Sequence, residues 1–163
     1  MKRFCTVLAG ATIVAACQPQ ADTAEPAPEH EAVDLPDPAE VTLGNGDENS
    51  IAVAGITRTG STFTVPEVVI ERAGWLVMHP FRDGAPVRNE YVGATLLPAG
   101  ANTDVVIDVG DVPAAGDMFI IMLHGDMNED GIFDFGDGET VPDAPIFEGN
   151  LMIAHPIPAP AEA

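Results

Sequence analysis

The chain has 163 residues, room for one domain of ordinary size plus accessories, and 46% of them are apolar, enough for a core. Twenty-six acidic residues stand against six basic ones, so phosphates would be repelled and nucleic-acid binding is excluded. Fifteen Pro and sixteen Gly exclude long helices and demand many turns.

Lys2 and Arg3 open the chain with positive charge, and Phe4 to Ala15 is an apolar stretch too short to span a bilayer. Val14-Ala15-Ala16-Cys17 follows. This run resembles the bacterial lipoprotein signal, in which small residues precede a Cys that is lipidated before cleavage; Val14 stands where that signal usually has Leu. The resemblance implies a signal peptide over 1–16, a lipid anchor on Cys17 and a membrane as partner. Gln18, rather than Asp, implies the outer membrane of a cell envelope over inner-membrane retention. An ordinary secretory signal with a free Cys17 is the other reading. Cleavage before Cys17 would leave four Arg against twenty-six acids, 4 − 26 = −22, and no Lys. With Cys5 gone and Cys17 acylated, the mature domain has no disulfide to form.

Residues 17–50 hold nine acids and five Pro with no helical or strand period. They read as a disordered acidic tether with a reach of roughly 30 Å. Residues 157–163, ending in "PAPAEA", read as a second flexible end.

Between 51 and 156, short apolar runs alternate with turn residues. In chain order they are "SIAVAGI", "STFTVPEVVIE", "GWLVMHP", "YVGATLLP", "TDVVIDV", "DMFIIMLH" and "NLMIAHPI". In the fifth, Val105 and Ile107 share one face and Asp104 and Asp108 the other. Pro66 marks a bulge or an edge. The spacing predicts an all-β domain, an antiparallel sandwich of about seven strands.

"FTVPEVVIERAGWLVMH" and "GDMFIIMLHGDMNEDGIFDF" together resemble a domain of unknown function found in secreted and surface proteins, notably of halophilic microbes. The residues that carry the likeness are Gly74, Trp75, Val77, His79, Met122, Leu123, His124, Asp126, Gly131, Phe133 and Phe135. The resemblance implies a single Ig-like β-sandwich and supplies no biochemical activity.

"HGDMNEDGIFDFGD" sets Asp126, Asn128, Asp130, Asp134 and Asp137 within twelve residues that contain no Lys or Arg. Like charges this close need solvent or a cation between them. Counted from Asp126 as position 1 of a twelve-residue calcium loop, Asn128 is 3, Asp130 is 5, Gly131 is 6, the Ile132 carbonyl is 7, Asp134 is 9 and Asp137 is 12. Position 12 is Asp instead of the longer Glu, and a strand-like "MFIIML" precedes the loop instead of a helix. The cofactor this pattern suits is Ca2+, held by a loop inserted in a β-domain. A bare solvated turn suits the same residues, since Asp, Asn and Gly are common turn formers.

His79, His124 and His155 each end an apolar run. If they converged, they would suit zinc or copper, and Met78, Met122 and Met152 nearby would favour copper(I). The expected role is structural: a His at a strand end bonds a backbone carbonyl or a neighbouring Asp, and the Met residues fill the core. Trp75 and Tyr91 offer a ligand platform, with core packing expected for the Trp. Arg58, Arg72, Arg82 and Arg88 are expected to pair with surface carboxylates. Catalysis is poorly supplied. Ser50 and Ser61 are the only Ser, no Lys follows Lys2, and nothing singles out a carboxylate pair. The sequence therefore reads as a non-enzymatic, lipid-anchored binding or structural module with an envelope or extracellular partner. The alternative is a periplasmic copper or zinc binder using His79, His124 and His155.

Overall fold

The computed structural model describes residues 39–83, 85–87, 89–136 and 141–163. The signal segment, Cys17, most of the tether, Arg88 and Asp137 lie outside the described residues.

The described residues form two β-sheets and no helix. The smaller sheet contains β2 (Ser50–Ile51), β3 (Thr57–Thr59), β4 (Thr62–Ile70) and β8 (Gly100–Asp108). The larger contains β1 (Thr42–Gly44), β5 (Gly74–Arg82), β6 (Ala85–Pro86), β7 (Gly93–Leu97), β9 (Met118–Gly125), β10 (Phe147–Glu148) and β11 (Leu151–Pro158). Its main path runs β1-β11-β9-β5-β6, with β7 also on β5 and β10 also on β11. Every pairing is antiparallel except β1 with β11. Each of the seven apolar runs contains a strand. Four more, β1, β3, β6 and β10, are two or three residues long. A pairing that short has no room for a hydrophobic period, which is why the expected count was about seven.

The alternation of each strand builds the core between the sheets. Ile51, Phe63, Val65, Val68, Ile70, Val105 and Ile107 from the smaller sheet meet Leu76, Met78, Leu97, Phe119, Ile121, Leu123, Ile153 and Ile157 from the larger. Phe63 and Phe119 join the two layers edge to face, with ring centroids 5.6 Å apart. Pro66 sits opposite Asp104 in β4, between the stretches that pair with β3 and with β2. The neighbouring Glu67 carbonyl points to β2, where it accepts from the Ala52 N–H, so the bare Pro66 nitrogen faces β8, at the row that ladder skips.

Defined structure reaches into both stretches that composition read as flexible. Thr42–Gly44, inside the stretch read as tether, pairs with Leu151–Ile153. The Glu148 carboxylate accepts from the backbone N–H groups of Asp47, Glu48 and Asn49 and from the Asn49 side chain. Those donors hold the Glu148 pKa below the usual range, with the Asn49 side chain the largest cause. At the other end, Arg58 is buried and donates to the carbonyls of Pro160 and Gly60, at 3.0 and 2.6 Å. The Ala163 N–H returns to the Arg58 carbonyl at 2.9 Å. Arg58 thus binds the tail and not a surface carboxylate. Pro- and Ala-rich composition does not reveal such partners, because carbonyls are present at every position.

Candidate functional site beneath the acidic loop

β5 is buried along its first seven residues, on both faces. Leu76 and Met78 face the inter-sheet core. The opposite face carries Trp75, Val77 and His79 from β5 beside His124, Met122 and Ile120 from β9, paired in that order. Trp75, Val77, Ile120, Met122 and Ala154 form a second apolar cluster, with Ala94, Phe133 and Met152 against it. A strand covered on both sides reads as an unbroken apolar run, and "GWLVMHP" does.

The cover comes from the segment after β9. Its return is fixed by backbone bonds from Gly125 N–H to the Ala144 carbonyl and from Ile146 N–H to the Leu123 carbonyl. Phe133 lies 5.4 Å from Trp75, 5.4 Å from His124 and 5.1 Å from Tyr91, centroid to centroid. Phe135 lies 5.5 Å from His79 and 5.1 Å from Tyr91. Trp75 thus belongs to an aromatic layer outside the main core, and Tyr91 joins it through Phe133 and Phe135.

His79 and His124 meet under these rings, with centroids 5.6 Å apart and planes 27° apart. His79 Nδ1 bonds the Glu90 carbonyl at 2.7 Å, and His124 Nδ1 bonds the Asp143 carbonyl at 2.5 Å. A carbonyl only accepts, so both Nδ1 atoms carry the proton and both Nε2 atoms present a lone pair. Neither Nε2 has a hydrogen-bond partner, and both are buried. Burial lowers the pKa of His79 and takes that of His124 to about 3, against the opposing pull of each carbonyl bond. The pair is therefore neutral at pH 7.

His155 stands elsewhere. Its neighbours Ile153 and Ile157, two residues away on β11, face the inter-sheet core, while Ala154 belongs to the His79–His124 face. Its Nε2 bonds Asn45 Oδ1 at 2.8 Å. The three imidazoles predicted as one alternative metal set are thus split between the two faces of the sheet. Strand parity carries the reason: His124 pairs opposite Trp75, whereas His155 pairs opposite Ile121, a core residue.

The acidic loop is described as far as Gly136. Asp126 Oδ2 accepts from the Gly131 N–H at 3.0 Å, so this carboxylate points into the loop. Asn128 Oδ1 accepts from the Asp130 N–H at 3.3 Å, and Asp130 Oδ1 from the Ile132 N–H at 2.7 Å. The Asn128 amide donates to Asp130 at 2.8 Å and to Asp134 at 3.4 Å. Asn128, Asp130 and Asp134 are therefore brought together, and Asp126 Oδ1 is a buried oxygen without a partner. The Ile132 side chain is exposed. Among the described residues, no three His, Cys, Asp or Glu side chains are arranged to hold a metal ion.

Asp143 was not singled out by the sequence. It is buried, and its two oxygens accept from the N–H groups of Met127 and Asp134 at 3.2 and 2.8 Å. It bolts the acidic loop to the segment that returns to β9, while its carbonyl holds His124. Burial raises its pKa, with the charges of Asp126 and Asp134 adding, against those two N–H groups. Among twenty-six acids, nothing local distinguishes it. Of the arginines, Arg82 does pair with a carboxylate, Glu90, at 3.1 Å on the surface.

No curated protein and no solved structure matches this chain. A family model described as a domain of unknown function, DUF7282, matches residues 49–156. That span takes in β2 to β10, all but the last two residues of β11, and the whole of the aromatic and histidine face. The chain is therefore a member of the DUF7282 family, a domain of unknown function.

Proposed function

We propose that this protein is a non-enzymatic, lipid-anchored module of the cell envelope, an Ig-like sandwich whose loop over residues 126–137 binds calcium and so seats the aromatic cover on the sheet. The observation that carries this reading is the buried, unpartnered Asp126 Oδ1, in a carboxylate whose other oxygen accepts the Gly131 N–H of the same loop. Carboxylates that now accept backbone N–H groups would turn to an ion that needs six to eight oxygens. Asp137 and the Ile132 carbonyl would add to the set. Phe133 lies inside the same loop, so ordering the loop orders the ring that touches Trp75 and His124.

Calcium at ten times its dissociation constant should then stabilise the fold by about 1.4 kcal/mol. The shorter Asp137 argues for a dissociation constant of roughly 0.1 to 1 mM, the range of extracellular modules. Thermal melts at matched ionic strength check it. The midpoint should rise with millimolar calcium, rise less with magnesium, and lose the calcium-specific part in Asp130→Ala. A shift that sodium chloride reproduces would mean that the loop is a solvated turn.

The anchor has its own test. Cys17→Ser should release the protein from membrane fractions or block its processing. Unchanged sedimentation with membranes would remove the lipid anchor from this reading.

A further inference from the structure

We propose that His79 and His124 are the two imidazole ligands of a copper(I) site beneath Phe133 and Phe135, with the Met122 thioether as third donor. Both rings already use Nδ1 on a backbone carbonyl, at 2.7 and 2.5 Å. That is the second-shell contact by which a protein fixes the tautomer and aim of a metal-binding imidazole. What remains on each ring is a buried Nε2 lone pair with no partner. His79 is 4% exposed and His124 1%, so bulk water does not reach these nitrogens. Two acceptors cannot satisfy each other, and a buried acceptor without a donor or cation is costly.

The spacing suits one shared ion. With nitrogen–metal bonds of about 2.0 Å, two imidazoles on one metal have ring centroids at most roughly 6 Å apart. The observed separation is 5.6 Å. Met122 pairs opposite Val77, in the register row between the rows of His79 and His124, and is two residues from His124 on the same face.

The donor set selects the ion. Two neutral imidazoles and a thioether are soft or borderline ligands. Both Asp143 oxygens are bonded to N–H groups. A dry site of neutral donors disfavours a dication more than a monocation. The Trp75 and Phe133 rings that flank the site add aromatic faces, which attract a cation further. The site needs no His155 and uses none of the acidic loop's oxygens.

The test is anaerobic copper(I) titration of the full chain against a chromogenic copper(I) chelator. Cys5→Ser and Cys17→Ser are present in every arm so that no thiolate competes. One copper(I) per chain should bind and quench the fluorescence of Trp75, the single Trp. His79→Gln and Met122→Leu should each weaken binding by about tenfold or more, and His155→Gln should not. Met122→Leu conserves volume and keeps the test sound if the His variant does not fold. X-ray absorption should show two nitrogens and one sulfur. No copper(I) bound, undiminished binding in both His79→Gln and Met122→Leu, or preference for zinc over copper(I) would each overturn the site.

Discussion

Gly74→Ala should destabilise the fold by about 3 kcal/mol or more, although Gly inside a strand is ordinarily the weaker choice. Replacing a strand Gly by Ala usually gains a few tenths to 1 kcal/mol, roughly, because the unfolded chain loses freedom. Here contact decides the sign. A Cβ on Gly74 would collide with the His124 carbonyl oxygen, and would stand 3.0 Å from Ile70 Cδ1 and 3.2 Å from Gly125 Cα. Two of these are backbone atoms of the paired strand and cannot turn aside. β5 would have to part from β9 where Gly74 pairs with Gly125, one row from the Trp75–His124 pair. Gly44→Ala is the control, since its Cβ meets only Leu151 Cδ1 at 3.4 Å. Urea unfolding of both variants measures the difference. A Gly74→Ala protein as stable as Gly44→Ala would mean that β5 and β9 do not approach as described.

Acidification from pH 7 to pH 5 should cost the metal-free protein about 2 kcal/mol through His124 alone. The folded ring has its pKa lowered to about 3, chiefly by burial. In the unfolded chain it titrates near 6.5. Below about 6.5 the unfolded state therefore takes up a proton that the folded state refuses. The stabilisation is complete above that pH and drains away as the pH falls toward 3. His79 and His155 are also lowered, mainly by burial, and add with the same sign. Asp143, raised by burial, acts in the opposite sense. Most carboxylates titrate below pH 5, so the window isolates the imidazoles. A chain of this size should lose roughly 4 to 8 °C of melting temperature. His124→Gln, less stable at pH 7, should show a pH dependence shallower by about 2 kcal/mol over the window. Parallel curves for the two proteins would clear His124 of the effect.

The seven apolar runs were legible because each long strand writes its own period. Val105 and Ile107 went to the core and Asp104 and Asp108 to solvent, as alternation required. The ends of the fold were not legible. Thr42–Gly44 is held by pairing with β11, and its neighbours by a Glu148 carboxylate about a hundred residues away. Composition reads local preference, and neither contact is local.

The candidate site divides along the same line. Spacing alone picked out Asp126, Asn128, Asp130 and Asp134, because a loop's donors are neighbours in sequence and their geometry follows from a few turns. It could not tell which histidines share a face. His79, His124 and His155 look alike, each closing an apolar run, and register alone separates them. By itself, the sequence determined an acidic all-β chain with an oxygen-rich loop and almost no catalytic nucleophiles. Tertiary structure alone decided that Phe133 and Phe135 return over β5 and β9, that Asp143 pins the loop, and that the His79 and His124 rings stack with both Nε2 atoms buried and unpartnered. The physical reason is that parity and turns are written in adjacent residues, whereas burial of a lone pair depends on what a segment some ten to fifty residues away lays over it.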